Sequence, residues 1–111
     1  MATPLFIISV VFNYFDVPIN MRDNHTRKAA KVTACQYSMY FLRKYTSHTN
    51  EFIGRIFRRD HATVTHAVKK INTELATYKD TQRFIEQINN RILAGIQIDD
   101  FKYAQYETDN V

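Results

Sequence analysis

The stretch "RRDHATVTHAVKKI", Arg58 to Ile71, lays two patterns over one another. Val64, Val68 and Ile71, continued by Leu75 and Tyr78, recur at i, i+4, i+7, i+11 and i+14, the spacing of one buried helix face. Asp60, just ahead of them, is a preferred N-cap residue, so the spacing predicts a helix beginning there. At about 100° per residue, with Val64 set toward the core, Ala62, His66, Lys69 and Thr73 fall on the opposite side. Asp60, His61 and Thr63 belong to the first turn, where side chains project past the helix end. Such a tip either caps and solvates the helix or touches something specific.

The residues upstream favour the second reading. "EFIGRIF", Glu51 to Phe57, is a short segment with Phe52, Ile53, Ile56 and Phe57 apolar, and Thr49 or Asn50 can cap it. A short helix, a turn of about three to four residues and a longer helix make the outline of a helix-turn-helix. In that motif the first turn of the second helix enters the major groove of duplex DNA. Its N-terminus also attracts phosphate through free N–H groups and the positive end of the helix dipole. Small hydrogen-bonding residues at the tip with basic residues farther along suit this use. The plainer alternative is that Asp60 only caps and that both histidines lie in solvent.

The rest of the chain reads as helix. Thr3 is a candidate N-cap with Pro4 in the first helical position, and Phe6, Ile7, Val10, Val11 and Tyr14 follow at helical spacing, so a first helix is expected over 4–15. Residues 16–31, "DVPINMRDNHTRKAAK", read as a polar loop ending in a basic cluster. A second helix is expected from Lys28 to Tyr45, with Val32, Cys35, Met39 and Leu42 as its inward stripe. A fifth begins at Asp80 or Thr81 and runs to Ala94, with Phe84, Ile88, Ile92 and Leu93 facing inward. Residues 96–111 are acidic and weakly periodic, a partly ordered tail behind a DNA-binding domain of residues 1–95. The expected architecture is an all-α, five-helix bundle. Two glycines and two prolines in 111 residues are too few for the turns of a sandwich or barrel.

Composition excludes several functions. Gly54 and Gly95 stand far apart, so no glycine-rich loop can cradle a nucleotide's phosphates. His61 and His66 are five apart rather than four and no cysteine pair assists them, so no metal site is expected. No serine, histidine and carboxylate set suggests an enzyme, and no cofactor is expected. Cys35, the one cysteine, sits in an apolar-periodic stretch as a small hydrophobe and suits a reducing cytoplasm. The opening "MATPLFIISVVFNYF" lacks a basic start and is shorter than the roughly 20 residues of a membrane span, so it reads as a core helix. Charge is uneven: residues 21–80 hold 12 Lys/Arg against 5 Asp/Glu, within a chain of net charge +4. A basic middle suits a polyanion.

"IGRIFRRDHATVTHAVKKI" resembles the signature of the C-terminal DNA-binding domain of DnaA, the bacterial chromosomal replication initiator. Ile53, Gly54, Phe57, Arg59, Asp60, His61, Thr63, Val64, His66, Ala67, Lys70 and Ile71 match that signature in order. A weaker likeness extends from about Val11 to about Ile92. The resemblance implies a Trp-repressor-like helical bundle that binds a short asymmetric duplex element, the DnaA box, as a monomer. It implies that Asp60, His61 and Thr63 meet base edges in the major groove and that Arg27 enters the adjacent minor groove. Lys28, Gln36 and Arg43 fall near its phosphate-contacting positions, and Arg59, His66, Lys69 and Lys70 complete the candidates for phosphate contact.

This chain also departs from that pattern. Thr33 and Cys35 stand where the family often carries arginine, and Ala62 stands where Thr or Ser is usual. The turn before Arg59 is one residue shorter, with Arg58 where glycine is common. No segment corresponds to the family's nucleotide-binding domain, so ATP-driven assembly is not expected of this sequence. A free-standing copy suits a phage or mobile element acting in a host's cytoplasm. The expected function is recognition of DnaA-box-like duplex sites to regulate replication initiation or transcription, with a host replication protein as a further partner. The alternative is a protein-interaction or virion-structural module that reuses the fold. Neither membrane nor nucleotide is an expected partner.

Overall fold

The computed structural model describes the backbone of residues 3–24 and 28–109, and side chains as far as residue 95. Five α-helices appear in chain order: α1 (Pro4–Tyr14), α2 (Ala29–Tyr45), α3 (Asn50–Ile56), α4 (His61–Leu75) and α5 (Lys79–Asp109). Among the described residues a 3-10 turn, Ile19–Met21, interrupts the loop between α1 and α2. Among the described residues no helix is long and apolar enough to cross a membrane.

Caps written into the sequence start three of these helices. The Thr3 hydroxyl accepts from the Phe6 N–H at 3.2 Å ahead of Pro4, and the Thr49 hydroxyl accepts from the Phe52 N–H at 3.1 Å. Asp60 caps α4 in the same way. Each satisfies an N–H group with no partner inside its helix, which stabilises a helix by about 1 kcal/mol. Asp16 ends α1 in a left-handed conformation at φ 57°, which a short carboxylate side chain tolerates.

The helices close over one core. Ile7, Ile8, Val11 and Phe12 of α1 meet Ala34, Met39, Phe41 and Leu42 of α2, Ile53 of α3, Val64 and Ile71 of α4, and Ile88 and Ile92 of α5. Phe57, in the turn after α3, is fully buried with them, and removing such a ring from water contributes about 3 kcal/mol. Tyr14, Phe15, Tyr37 and Phe84 form an aromatic knot with centroids 5.0–6.0 Å apart.

α5 runs antiparallel to α1, with Tyr14 beside Phe84 and the Phe6 ring lying against Gly95. It runs in the same direction as α2, with Phe84 beside Tyr37 and the Tyr45 hydroxyl donating to the Asn89 Oδ1. Residues beyond 95 therefore leave the bundle at the C-terminal end of α2.

Several expectations are corrected. α4 stops at Leu75, where the Gln82 Nε2 donates to its carbonyl at 3.0 Å, so Tyr78 is carried off the inward stripe and is 59% exposed. Leu93, read as inward, is 42% exposed, and the apolar Phe52 is 40% exposed. Ile85 takes an inward place that the pattern missed. Lys31, read as part of the basic cluster where the loop runs into the second helix, is buried on the first turn of α2. The fifth helix, expected to end at Ala94, continues as backbone helix through Asp109, across the segment read as a tail.

Candidate nucleic-acid interface

Everything at the tip of α4 depends on the turn that precedes it. Phe57, Arg58, Arg59 and Asp60 connect α3 to α4, with Phe57 as the buried anchor. Arg58 adopts φ 54°, a left-handed conformation that disfavours side chains by about 1 kcal/mol and explains why glycine suits this position. The Arg59 N–H then donates back to the Gly54 carbonyl at 2.8 Å. A Cβ on residue 54 would stand 2.5 Å from the Arg59 carbonyl oxygen and 3.0 Å from that of Asp60. Gly54 is thus required because the turn's backbone lies directly on α3.

Asp60 and Thr63 hold one another. The Asp60 Oδ1 accepts from the Thr63 N–H at 3.0 Å and from the Thr63 hydroxyl at 3.1 Å. The backbone hydrogen bond and then the hydroxyl lower the Asp60 carboxyl below its ordinary value, so the tip carries a full negative charge at neutral pH. Asp60 and His61 are exposed and Thr63 is half-buried. Ala62 lies between them on the side of α4 opposite Val64. His66 and Lys69 continue that outward side and are exposed.

Cations lie on both flanks of α4. Between α2 and α4 lies a cleft of about 300 Å³ lined by Arg22, Lys31, Gln36, Arg59, His66 and Lys70, with Cys35, Met39 and Ala67 in its wall. The Lys70 Nζ donates to the Gln36 Oε1 at 3.3 Å and stands 4.0 Å from Glu74. Burial raises the Cys35 thiol above its ordinary value, against the pull of Lys31 and Arg59, so it is a neutral wall residue. On the other flank, Arg43, Asn50, Thr65, Lys69 and Thr73 line a more open cleft of about 470 Å³. There the Asn50 Nδ2 donates to the Thr65 hydroxyl at 3.1 Å, tying α3 to α4.

The sequence-predicted residues are distributed accordingly. Asp60, His61 and Thr63 share the tip. Gln36, Arg59, His66 and Lys70 converge on the α2–α4 cleft, and Arg43 and Lys69 on the opposite one. Lys28 is the N-cap of α2, whose start has no side-chain cap and no acidic residue among the described residues. Lys31 on that first turn lines the α2–α4 cleft, so the positive end of the α2 dipole lies near it and favours an anion there. Arg27 lies outside the described residues.

Sequence reasoning missed two members, Arg22 and Lys31. The Lys31 ammonium donates to the Asn24 carbonyl, and the Cys35 thiol donates to the Arg22 carbonyl at 3.7 Å. Two residues of the inner face of α2 thus hold the loop that leads to Arg27. Lys31 precedes Cys35 by four positions, so helical spacing alone would have put it on that face.

Comparison with known proteins agrees with this geometry. A family model described as the bacterial dnaA protein helix-turn-helix matches residues 4–71. The chromosomal replication initiator protein DnaA of Flavobacterium psychrophilum is 36% identical over 88 residues, covering 78% of this chain and 18% of that protein. The protein of the same name from Bacteroides thetaiotaomicron is 34% identical over 85 residues, 76% of this chain and 18% of its own. That from Mesoplasma florum is 34% identical over 88 residues, 78% and 20%. The chain spans about a fifth of the length of these relatives.

Proposed function

Because the chain belongs to the bacterial DnaA helix-turn-helix family, we propose that it binds duplex DNA at DnaA-box-like sites and regulates replication initiation or transcription there. The observation that carries this reading is the cation-lined cleft on each side of α4. A helix inserted in a major groove has a phosphate backbone on either side. Cations on both flanks supply affinity without regard to sequence, while the residues at the tip read base edges.

In this reading Asp60, His61 and Thr63 reach bases in the major groove and Arg27 the neighbouring minor groove. Lys28, Gln36, Arg43, Arg59, His66, Lys69 and Lys70 contact phosphates, joined by Arg22. Residues 1–95 are the DNA-binding unit and 96–111 an acidic appendage. The protein acts in the cytoplasm among DNA-bound proteins, where a replication protein is a suitable partner.

Selection of sites from a random duplex pool at moderate salt tests the proposal, followed by titration of two variants. Thr63→Ala should weaken binding to the selected site by about 1–3 kcal/mol and barely affect random duplex. Lys69→Ala should weaken both alike and lower the slope of log affinity against log salt by about 1. A pool that yields no motif would instead favour a protein-interaction module. Equal effects of both variants on both duplexes would overturn the division between tip and flanks.

A further inference from the structure

Resting on the DNA-binding reading above, we infer that Arg58 grips a phosphate of the DNA backbone from the turn just ahead of the α4 tip. α3 ends in a Schellman turn, in which the Arg59 N–H donates to the Gly54 carbonyl at 2.8 Å and the Arg58 N–H to the Arg55 carbonyl at 3.1 Å. That pattern needs a left-handed residue just past the helix cap, where glycine is the ordinary choice because a Cβ is crowded there. Arg58 fills the place at φ 54°. An arginine here therefore weakens the fold relative to glycine, and strain of this kind gathers at functional sites.

Nothing described in the fold offsets that strain. Arg58 is half-buried and outside the core, and among the described residues its guanidinium has neither a hydrogen-bond nor an ion-pair partner. Asp60, the nearest carboxylate along the chain, is engaged by Thr63. Two residues span at most about 7 Å, so Arg58 stands beside the tip that it precedes. A helix tip inserted in a groove brings the residue ahead of it toward the groove's edge, where the phosphates lie. A guanidinium is a rigid fork of donors that matches phosphate oxygens, so its unused donors suit that edge.

Arg58→Gly and Arg58→Lys test this by thermal unfolding, and by fluorescence anisotropy on the selected site and on random duplex across a salt series. Arg58→Gly should move the two readouts in opposite directions. Its Tm should rise by roughly 2–4 °C as the strain is relieved. Its affinity should fall about fivefold on both duplexes alike, with the slope of log affinity against log salt lower by about 1. Arg58→Lys keeps both the strain and the charge, so Tm and the salt slope should stay. Loss of the fork alone should weaken binding about twofold.

Unchanged binding by Arg58→Gly with a raised Tm would overturn the phosphate contact and leave the DNA-binding reading standing. A lowered Tm would overturn it as well, since Arg58 would then serve the fold itself. So would a loss confined to the selected site, the mark of a base reader. A wild-type chain that binds no duplex at any salt overturns both.

Discussion

Substituting Gly54 tests the turn on which the interface depends, and two effects of opposite sign compete there. Gly54 is a buried residue inside α3, and an alanine in a helix is favoured over glycine by about 1 kcal/mol. Helix propensity alone therefore predicts that Gly54→Ala stabilises the protein. Crowding predicts the reverse, because the new Cβ meets the Arg59 carbonyl oxygen at 2.5 Å and the Asp60 carbonyl oxygen at 3.0 Å. Both are backbone atoms, so no side chain can swing away. Forcing such a group into a filled space costs about 1–3 kcal/mol, and loosening the Arg59 N–H to Gly54 carbonyl bond costs about 1 more. The net expectation is a loss of about 1–3 kcal/mol. For 111 residues, unfolding entropy near 2.1 cal/mol/K per residue makes that a fall in Tm of roughly 4–13 °C. Far-ultraviolet circular dichroism during heating measures it. DNA binding at a temperature where the variant remains folded should fall too, since relief of the contact displaces Asp60 and the tip it starts. A Tm raised by about 4 °C with unchanged binding would refute the crowding and leave propensity in control.

Two further substitutions examine the parts that this turn positions. In Asp60→Asn the amide oxygen can still cap α4, so stability near neutrality should change little. The lowered carboxyl value of Asp60 contributes stability above the ordinary aspartate range and loses it as pH falls through the folded-state value, so Tm measured against pH should decline less steeply below about pH 4 in the variant than in the wild type. Parallel curves would show that the Thr63 contacts do not act on this carboxylate. Lys31→Met keeps the apolar stem but removes the ammonium that ties Asn24 to α2. Specific-site affinity should fall by roughly 1–2 kcal/mol as the loop carrying Arg27 loosens. In a double variant with Arg27→Ala the two losses should then fail to add; full additivity would show that Lys31 does not act through that loop.

The sequence revealed whatever depends on neighbours within one helical turn. Thr3, Thr49 and Asp60 cap because a short polar side chain reaches an N–H two or three residues on, wherever the helix later goes. The stripe of Val64 and Ile71 likewise fixes which side of α4 is buried and hence that Ala62, His66 and Lys69 are not. Periodicity does not say where a stripe stops mattering. Tyr78 continues the pattern of α4, yet the helix has ended at Leu75 and the ring stands in solvent. Leu93 keeps helical spacing but, at about 100° per residue, turns away from the face of α5 on which Ile92 is buried and Gly95 meets Phe6. The flanks were legible only as a list. That Gln36 meets Lys70 across 34 residues is set by how α2 and α4 cross, which no local pattern encodes.

Charge counting needs the same spatial correction. Residues 81–111 carry 3 Lys/Arg against 5 Asp/Glu, and by composition they offset part of the excess in residues 21–80. Four of those five carboxylates lie at residues 99–109, in the part of α5 that leaves the bundle at the C-terminal end of α2. The α2–α4 cleft and the tip of α4 lie toward the other end, at the start of α2, whereas Arg43 of the second cleft is in the last turn of α2. The 17 residues of α2 put about 25 Å, at 1.5 Å per residue, between its start and its C-terminal end, whereas charges in solvent are screened beyond about 10 Å at 0.1 M salt. The acidic segment therefore cannot cancel the field at the tip. A polyanion approaching α4 meets the basic middle of the chain nearly undiminished, so the modest net charge of +4 understates the attraction.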